Sequence, residues 1–307
     1  ARGAGSGGGS GSPGSNVLIP RVDEDGQPVT GPQGQVESRL NPNASQEDIN
    51  NFASNFEGRL GLVAPDLGFA DGKAATSAFG EFLGNSKQRL TGDETVSAET
   101  LLDTFTLSRA IAQAGGITAS SDFETGIGML GEFFATEDST FGGLGANAGT
   151  VAGNKISIND IPDSVRGEFG ATRQRITEEM RGQLGTSIGQ QFNSKLVGGF
   201  ADAAKEFSGQ LSRAAATGEN RRRQTRTNPL GGDRLIAEAT ANQFTATLDG
   251  FRKDANALST RIGNGDQDVT PDEIAAIDAR FKAIQEQLAA NNQVRQVLGI
   301  TPESLRN

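Results

Sequence analysis

Apolar residues recur at helical spacing along most of this chain, and the clearest stretch lies near the C terminus. Phe244, Leu248, Phe251, Ala255, Leu258 and Ile262 alternate in steps of four and three, as do Ile274, Ile277, Phe281, Ile284 and Leu288 after a short turn. Such alternation keeps one stripe facing a partner helix, and a short connection makes the partners antiparallel. Residues 233–298 are therefore expected to form an antiparallel helical hairpin, within a C-terminal unit spanning 233–307.

Upstream, Ser45 followed by Glu47 and Asp48 reads as a helix start, because a serine caps the free amides and acids favour the first turn. Ile49, Phe52, Phe56 and Leu60 follow on one face. Further helices are expected over 73–90, from Ser97 to a stop at Gly115-Gly116, and over 121–135. Together they predict a small helical bundle at 45–137. A Gly-rich linker follows at 138–162, and within it Lys155–Ile158 has the character of a short strand.

From Asp163 the spacing changes. Ile176, Met180, Leu184, Ile188, Phe192, Leu196 and Phe200 step by four. Each such step turns the helix about 400°, so the stripe drifts by roughly 40° per step. Residues 163–216 are thus either one long helix wrapped on several sides or two helices broken near Gly198-Gly199. Gly182, Gly185 and Gly189 weaken the helix and would allow close approach of a neighbour. A polar, basic linker is expected at 217–232.

Residues 1–44 lack helical periodicity. They open on a Gly/Ser run and are then broken by Pro20, Pro28, Pro32 and Pro42, which reads as an extended arm. Ordering such an arm costs about 1–2 kcal/mol per residue, so a neighbouring chain is its expected support. The fold class is mainly α, with a short-helix bundle, a long Gly-interrupted helix, the hairpin and the arm.

Composition narrows the chemistry. The 307 residues include no Cys, His, Trp or Tyr. That excludes disulfides, thiolate and imidazole metal sites, and the usual nucleophile–base pairs. Phe is the one aromatic, which disfavours stacking platforms for sugars and bases. The net charge of −10 repels nucleic acid and anionic membrane as a whole. No apolar run reaches the roughly 20 residues of a membrane span. No signal peptide is visible, and the first residue is Ala1 rather than Met, which reads as a processed product or a fragment.

Four local motifs are candidates for chemistry. The turn Ile262-Gly-Asn264-Gly-Asp266-Gln-Asp268-Val269-Thr270-Pro-Asp-Glu273 resembles the calcium loop of EF-hand and dockerin modules. That resemblance implies calcium held by Asn264, Asp266, Asp268 and Glu273, with Val269 as the apolar eighth position. Ile262 at the first ligand position and Gln267 at the sixth depart from the pattern. The plainer reading makes Thr270-Pro271-Asp272-Glu273 a capping box and the rest a tight turn. Arg221, Arg222, Arg223 and Arg226 could meet phosphate, an acidic partner or, locally, nucleic acid; otherwise they are a solvated linker. Gly143–Ala148 fits a loose dinucleotide fingerprint but has no preceding strand, and Gly149–Ser157 lacks a phosphate loop's required residues, so both are rejected.

Ala239–Ala246 is similar to a stretch of the flagellin N-terminal helix, in a different part of the chain. The overall style resembles internal or minor virion proteins of tailed phages. This resemblance implies a non-enzymatic assembly protein in a virion or extracellular assembly, whose partners are subunits of the same or a neighbouring kind. The alternatives are a calcium-responsive binding module and a secreted filament or surface-layer subunit.

Overall fold

The computed structural model describes residues 16–31, 34–90, 94–137, 149–167, 169–224 and 231–292. Among them the chain is mainly helical. The helices are α1 (Gln46–Ser54), α2 (Glu57–Val63), α3 (Gly72–Arg89), α4 (Ala98–Gly115), α5 (Phe123–Glu137), α6 (Asp163–Arg166), α7 (Phe169–Gly182), α8 (Ser187–Gln224), α9 (Gly231–Gly263) and α10 (Pro271–Ala290). Two antiparallel ribbons accompany them, β1 (Leu18–Pro20) with β2 (Ser38–Leu40), and β3 (Gly149–Val151) with β4 (Asn154–Ile156).

The cap read from sequence at Ser45 is present, as a reciprocal capping box with Asp48, and Ser97 at the expected start of α4 accepts from the Thr100 amide. Helix α4 ends on Gly116 in the left-handed region, at φ +60°, which glycine adopts without a Cβ clash. Phe52, Phe79, Phe82 and Phe105 are buried where α1, α3 and α4 meet. Their rings meet in edge and tilted pairs, such as Phe79 and Phe105 at 5.3 Å. A second cluster, Phe133, Phe134 and Phe169, joins α5 to α7.

The C-terminal seams are buried as the heptads require, from Leu248 through Ile262 and from Ile274 through Leu288, while Phe244 is partly buried. Residues 293–298 of the expected hairpin lie outside the described residues. The dominant partner of α9, however, is α8. Ser194 donates to the Ser259 carbonyl at 3.1 Å and Ser259 donates back to the Ser194 carbonyl at 2.9 Å. Helix α10 then lies against both. Phe281 is its centre, with Phe200, Phe251 and Phe207 at 5.1, 5.5 and 6.4 Å.

Glycine sets how closely α8 is wrapped. A Cβ on Gly131 of α5 would sit 2.9 Å from the Phe192 carbonyl oxygen, and one on Gly199 would collide with the Ala135 side chain. On the α9 side, Cβ atoms on Gly198 and Gly263 would lie 3.2 and 3.3 Å from the hydroxyls of Ser259 and Ser194. The drifting apolar stripe is thus covered within the chain, by α5, α7, α9 and α10 in turn.

Three expectations change. The 163–216 region spans three helices, and the break between α7 and α8 falls at Gln183–Thr186, while Gly198-Gly199 is inside α8. The 217–232 linker is shorter than its polarity predicts, because α8 runs to Gln224 and α9 starts at Gly231. Polar, basic residues extend a helix readily when one turn is already anchored.

The 1–44 arm is the third change. Residues 1–15 lie outside the described residues, but the described residues of 16–44 fold back on their own chain. Val17, Leu40 and Ala44 are buried in the common core. The ribbon β1–β2 forms one leg of a three-legged star. At its centre Arg21 N donates to Glu37 O, Glu37 N to Val29 O, and Val29 N to Arg21 O, each at 2.9 Å. The other legs are closed by Val22 opposite Pro28 and Thr30 opposite Val36. Pro20 and Pro28 take part in these short pairings, where few ladder amides are needed.

Candidate functional site

The polar side chains that the fold draws together meet at the elbow between α7 and α8. Met180 and Gln183 close α7, and Gly185 reverses the chain at φ +110°, where only glycine is unstrained. Thr186 then caps α8, its hydroxyl accepting from the Gly189 amide at 3.1 Å. Buried Asn193 reaches back to the Met180 carbonyl at 3.2 Å. A Cβ on Gly189 would fall on the Gln183 carbonyl, so this glycine permits the reversal.

On one side, the elbow grips residues 94–97, the strand of chain that leads into α4. Glu179 accepts from the Ser97 amide at 3.1 Å and from the Thr100 hydroxyl. Gln183 donates to the Thr95 carbonyl, and Ser187 to buried Glu94 at 3.2 Å. The N-terminal star docks on the same segment: Val96 N donates to Ser38 O at 2.8 Å, and Thr95 donates to Glu37 at 3.0 Å. Burial pushes the Glu179 carboxyl above its ordinary range, opposed by the bonds from Thr100 and Ser97 and by nearby Arg175. Arg175 itself pairs with Asp103 of α4.

On the other side sits the turn that resembles a calcium loop. A cavity of about 250 Å³ between them is lined by Leu184, Gly185 and Gln190 of the elbow and by Ile262, Asp266, Gln267 and Val269 of the turn. Arg261 organises the turn. Its Nε donates to Asp266 at 2.7 Å and a terminal nitrogen donates to Glu273 at 3.0 Å. Asp266 also accepts from the Asp268 amide at 3.0 Å, and Glu273 from the Thr270 amide at 2.9 Å, which completes the capping box.

The pair of bonds from Arg261 occupies the carboxylates that the resemblance assigns to an ion. Hydrogen bonding to Arg261 holds Asp266 below its ordinary range, and the Thr270 amide followed by Arg261 does so for Glu273. Ile262 and Val269 are buried rather than open to a ligand. Asn264 N donates to Thr260 O at 3.0 Å as the last turn of α9, and Gly265 turns the chain at φ +74°. Among the described residues no group of three or more acidic side chains is placed to hold a metal ion. The geometry fits the turn-and-cap reading, and the donor set does not fit calcium while Arg261 stands between the two acids.

The basic cluster is only partly described. The backbone of Arg221, Arg222 and Arg223 continues α8, while their side chains, and Arg226 altogether, lie outside the described residues. Gly143–Ala148 also lies outside them. Periodicity did not mark the elbow, because Leu184 and Ile188 keep the four-residue step across it. The available signal was chemical: a glycine followed at once by a capping threonine, Gly185-Thr186.

Among the described residues no helix is long and apolar enough to cross a membrane. No family model, curated protein or solved structure matches the chain.

Proposed function

We propose that the chain is a non-enzymatic structural component that packs within a larger protein assembly, of the kind its composition resembles in tailed-phage virions. The observation that carries the reading is the N-terminal star. Residues between 22 and 36 stand mostly exposed, yet Val22 and Val36 are two of the three exposed large apolar side chains among the described residues, with Leu62. A folded device that leaves backbone ribbons and apolar tips in water suits contact with a neighbouring subunit. The polar groups gathered at the elbow support the same reading. They satisfy backbone amides and carbonyls and leave no opposed acid pair in an open cleft.

The internal covering of the drifting stripe narrows the proposal. Neighbours would be met through the star and the preceding Gly/Ser run rather than through helix faces. Light scattering on the full chain tests it. The expected result is a molar mass above the 31.9 kDa of one chain, falling when Val22 and Val36 are both changed to Ser. One-chain mass across the accessible concentration range would overturn the proposal.

A further inference from the structure

A cleft on the opposite side of α7 from Arg175 is lined by more cationic than anionic side chains. It holds about 520 Å³ between α6, α7, α8 and α10. Arg166, Arg173, Arg181 and Lys282 line it against two carboxylates, Glu178 and Asp278. In a chain of net charge −10 this is a local reversal of sign.

Arg166 is closely paired with Asp163 on its own helix, whereas Arg181 and Lys282 share one acid at longer range. Asp278 lies 3.4 Å from Arg181 and 3.6 Å from Lys282, and so serves both. Arg181 Nε and the Thr177 hydroxyl, one helical turn apart, are each buried without a hydrogen-bond partner among the described residues. An unmet buried donor is costly, and an acceptor-rich anion reached by a small side-chain shift would relieve it. Apolar Ile158, Phe169 and Leu196 complete the lining and leave room for a carbon-bearing group.

We infer that this cleft is a binding site for a phosphate-class oxyanion, free or as a small phosphomonoester. Arg173, Thr177 and Arg181 offer one face of α7 to the oxygens, and Lys282 closes from α10. Arginine suits this role because its planar donors match two oxygens at once.

The test uses the full chain and Gly170, which also lines the cleft and whose added Cβ would meet nothing within 4 Å. Gly170→Glu therefore adds a carboxylate from a position whose Cβ is unhindered, and Gly170→Ala is its neutral control. Titration calorimetry is run with inorganic phosphate and with glycerol phosphate, at constant ionic strength set by chloride. Saturable binding retained in Gly170→Ala and weakened at least about tenfold in Gly170→Glu is expected, since a like charge in a binding site costs more than that factor. Binding of both ligands assigns a free-phosphate site, and binding of glycerol phosphate alone assigns a phosphomonoester. Absence of saturable binding for both, or equal affinity in the two variants, overturns the site. Arg173→Gln with Lys282→Gln gives a second reading that removes charge instead of adding it, and unchanged affinity there overturns the site as well.

Discussion

The two flanks of the α7–α8 elbow solve one problem with opposite electrostatics. Each must hold a segment of chain at the start of a helix, α4 on one side and α10 on the other. At α4 the holder is Glu179, a carboxylate drawn largely out of water, bonded to an amide and a hydroxyl. At α10 the holder is Arg261, roughly two-fifths exposed, bonded to Asp266 and Glu273. Burial raises the acid's pKa in the first case, and a cationic partner lowers two acids in the second. The same kind of contact is thereby strained at one flank and relaxed at the other.

The comparison rests on the elbow, so breaking it has the largest expected effect. Gly189→Ala places a methyl on the Gln183 carbonyl and should cost about 3 kcal/mol, the upper end of ordinary overpacking. Denaturant unfolding measures it. A loss no greater than that of Gly209→Ala, where an added Cβ meets nothing, would remove the elbow from the account.

Removing the buried holder comes next. Glu179→Ala leaves the Ser97 amide without its acceptor and the Thr100 hydroxyl with only the Ser97 hydroxyl, and should destabilise by about 2 kcal/mol. Glu179→Gln keeps an acceptor and should cost clearly less. The two variants giving equal losses would mean that shape, rather than hydrogen bonding, holds residues 94–97.

The pH dependence separates the flanks by sign. Glu179 has a folded pKa above its unfolded value of about 4.3, so folding penalises its charged form. Wild type should therefore gain stability relative to Glu179→Gln as pH falls from neutral through the raised folded pKa, the gain being complete below about 4.3. Asp266 and Glu273 are depressed, so their contribution is full above their unfolded values of about 3.9 and 4.3 and fades below. Wild type should lose its advantage over Asp266→Asn with Glu273→Gln in that lower window. Parallel curves for the two difference measurements would contradict the contrast.

The smallest effect is expected at Arg261. Arg261→Ala should destabilise less than Glu179→Ala, and the loss should shrink further in high salt, because an exposed pair is screened and a buried one is not. A loss independent of salt would place Arg261 in a packing role instead. Millimolar calcium should leave the midpoint of wild type unchanged, as Arg261 already engages both acids by hydrogen bonds.

Legibility from sequence followed the range of the interactions. The caps at Ser45 and Thr270, the helix start at Ser97, the stop at Gly115-Gly116 and the heptad seams were all readable, because each is settled within one or two turns of chain. The capping-box reading of Glu273 was available for the same reason. Its engagement by Arg261, twelve residues away, was not, since nothing in the residue string sets which cation an exposed acid meets. The motif at 262–273 shows the limit plainly: identical spacing of oxygens serves an ion or a turn, and a neighbouring arginine decides between them.

By itself, then, the sequence determined that the chain is mainly helical, where most helices begin and end, which faces are apolar, and that imidazole and thiol chemistry are absent. Tertiary structure decided what those faces meet. It turned the Pro-broken arm into a star folded on its own chain and moved the break from Gly198-Gly199 to Gly185. It set α8, rather than α10, as the main partner of α9, and it gathered four cations around one cleft. Local signals fix backbone conformation because neighbours in sequence compete directly for the same hydrogen bonds. The partner of a helix face is chosen among all faces at once, by how closely glycine and serine let the backbones approach and by which buried donors find acceptors.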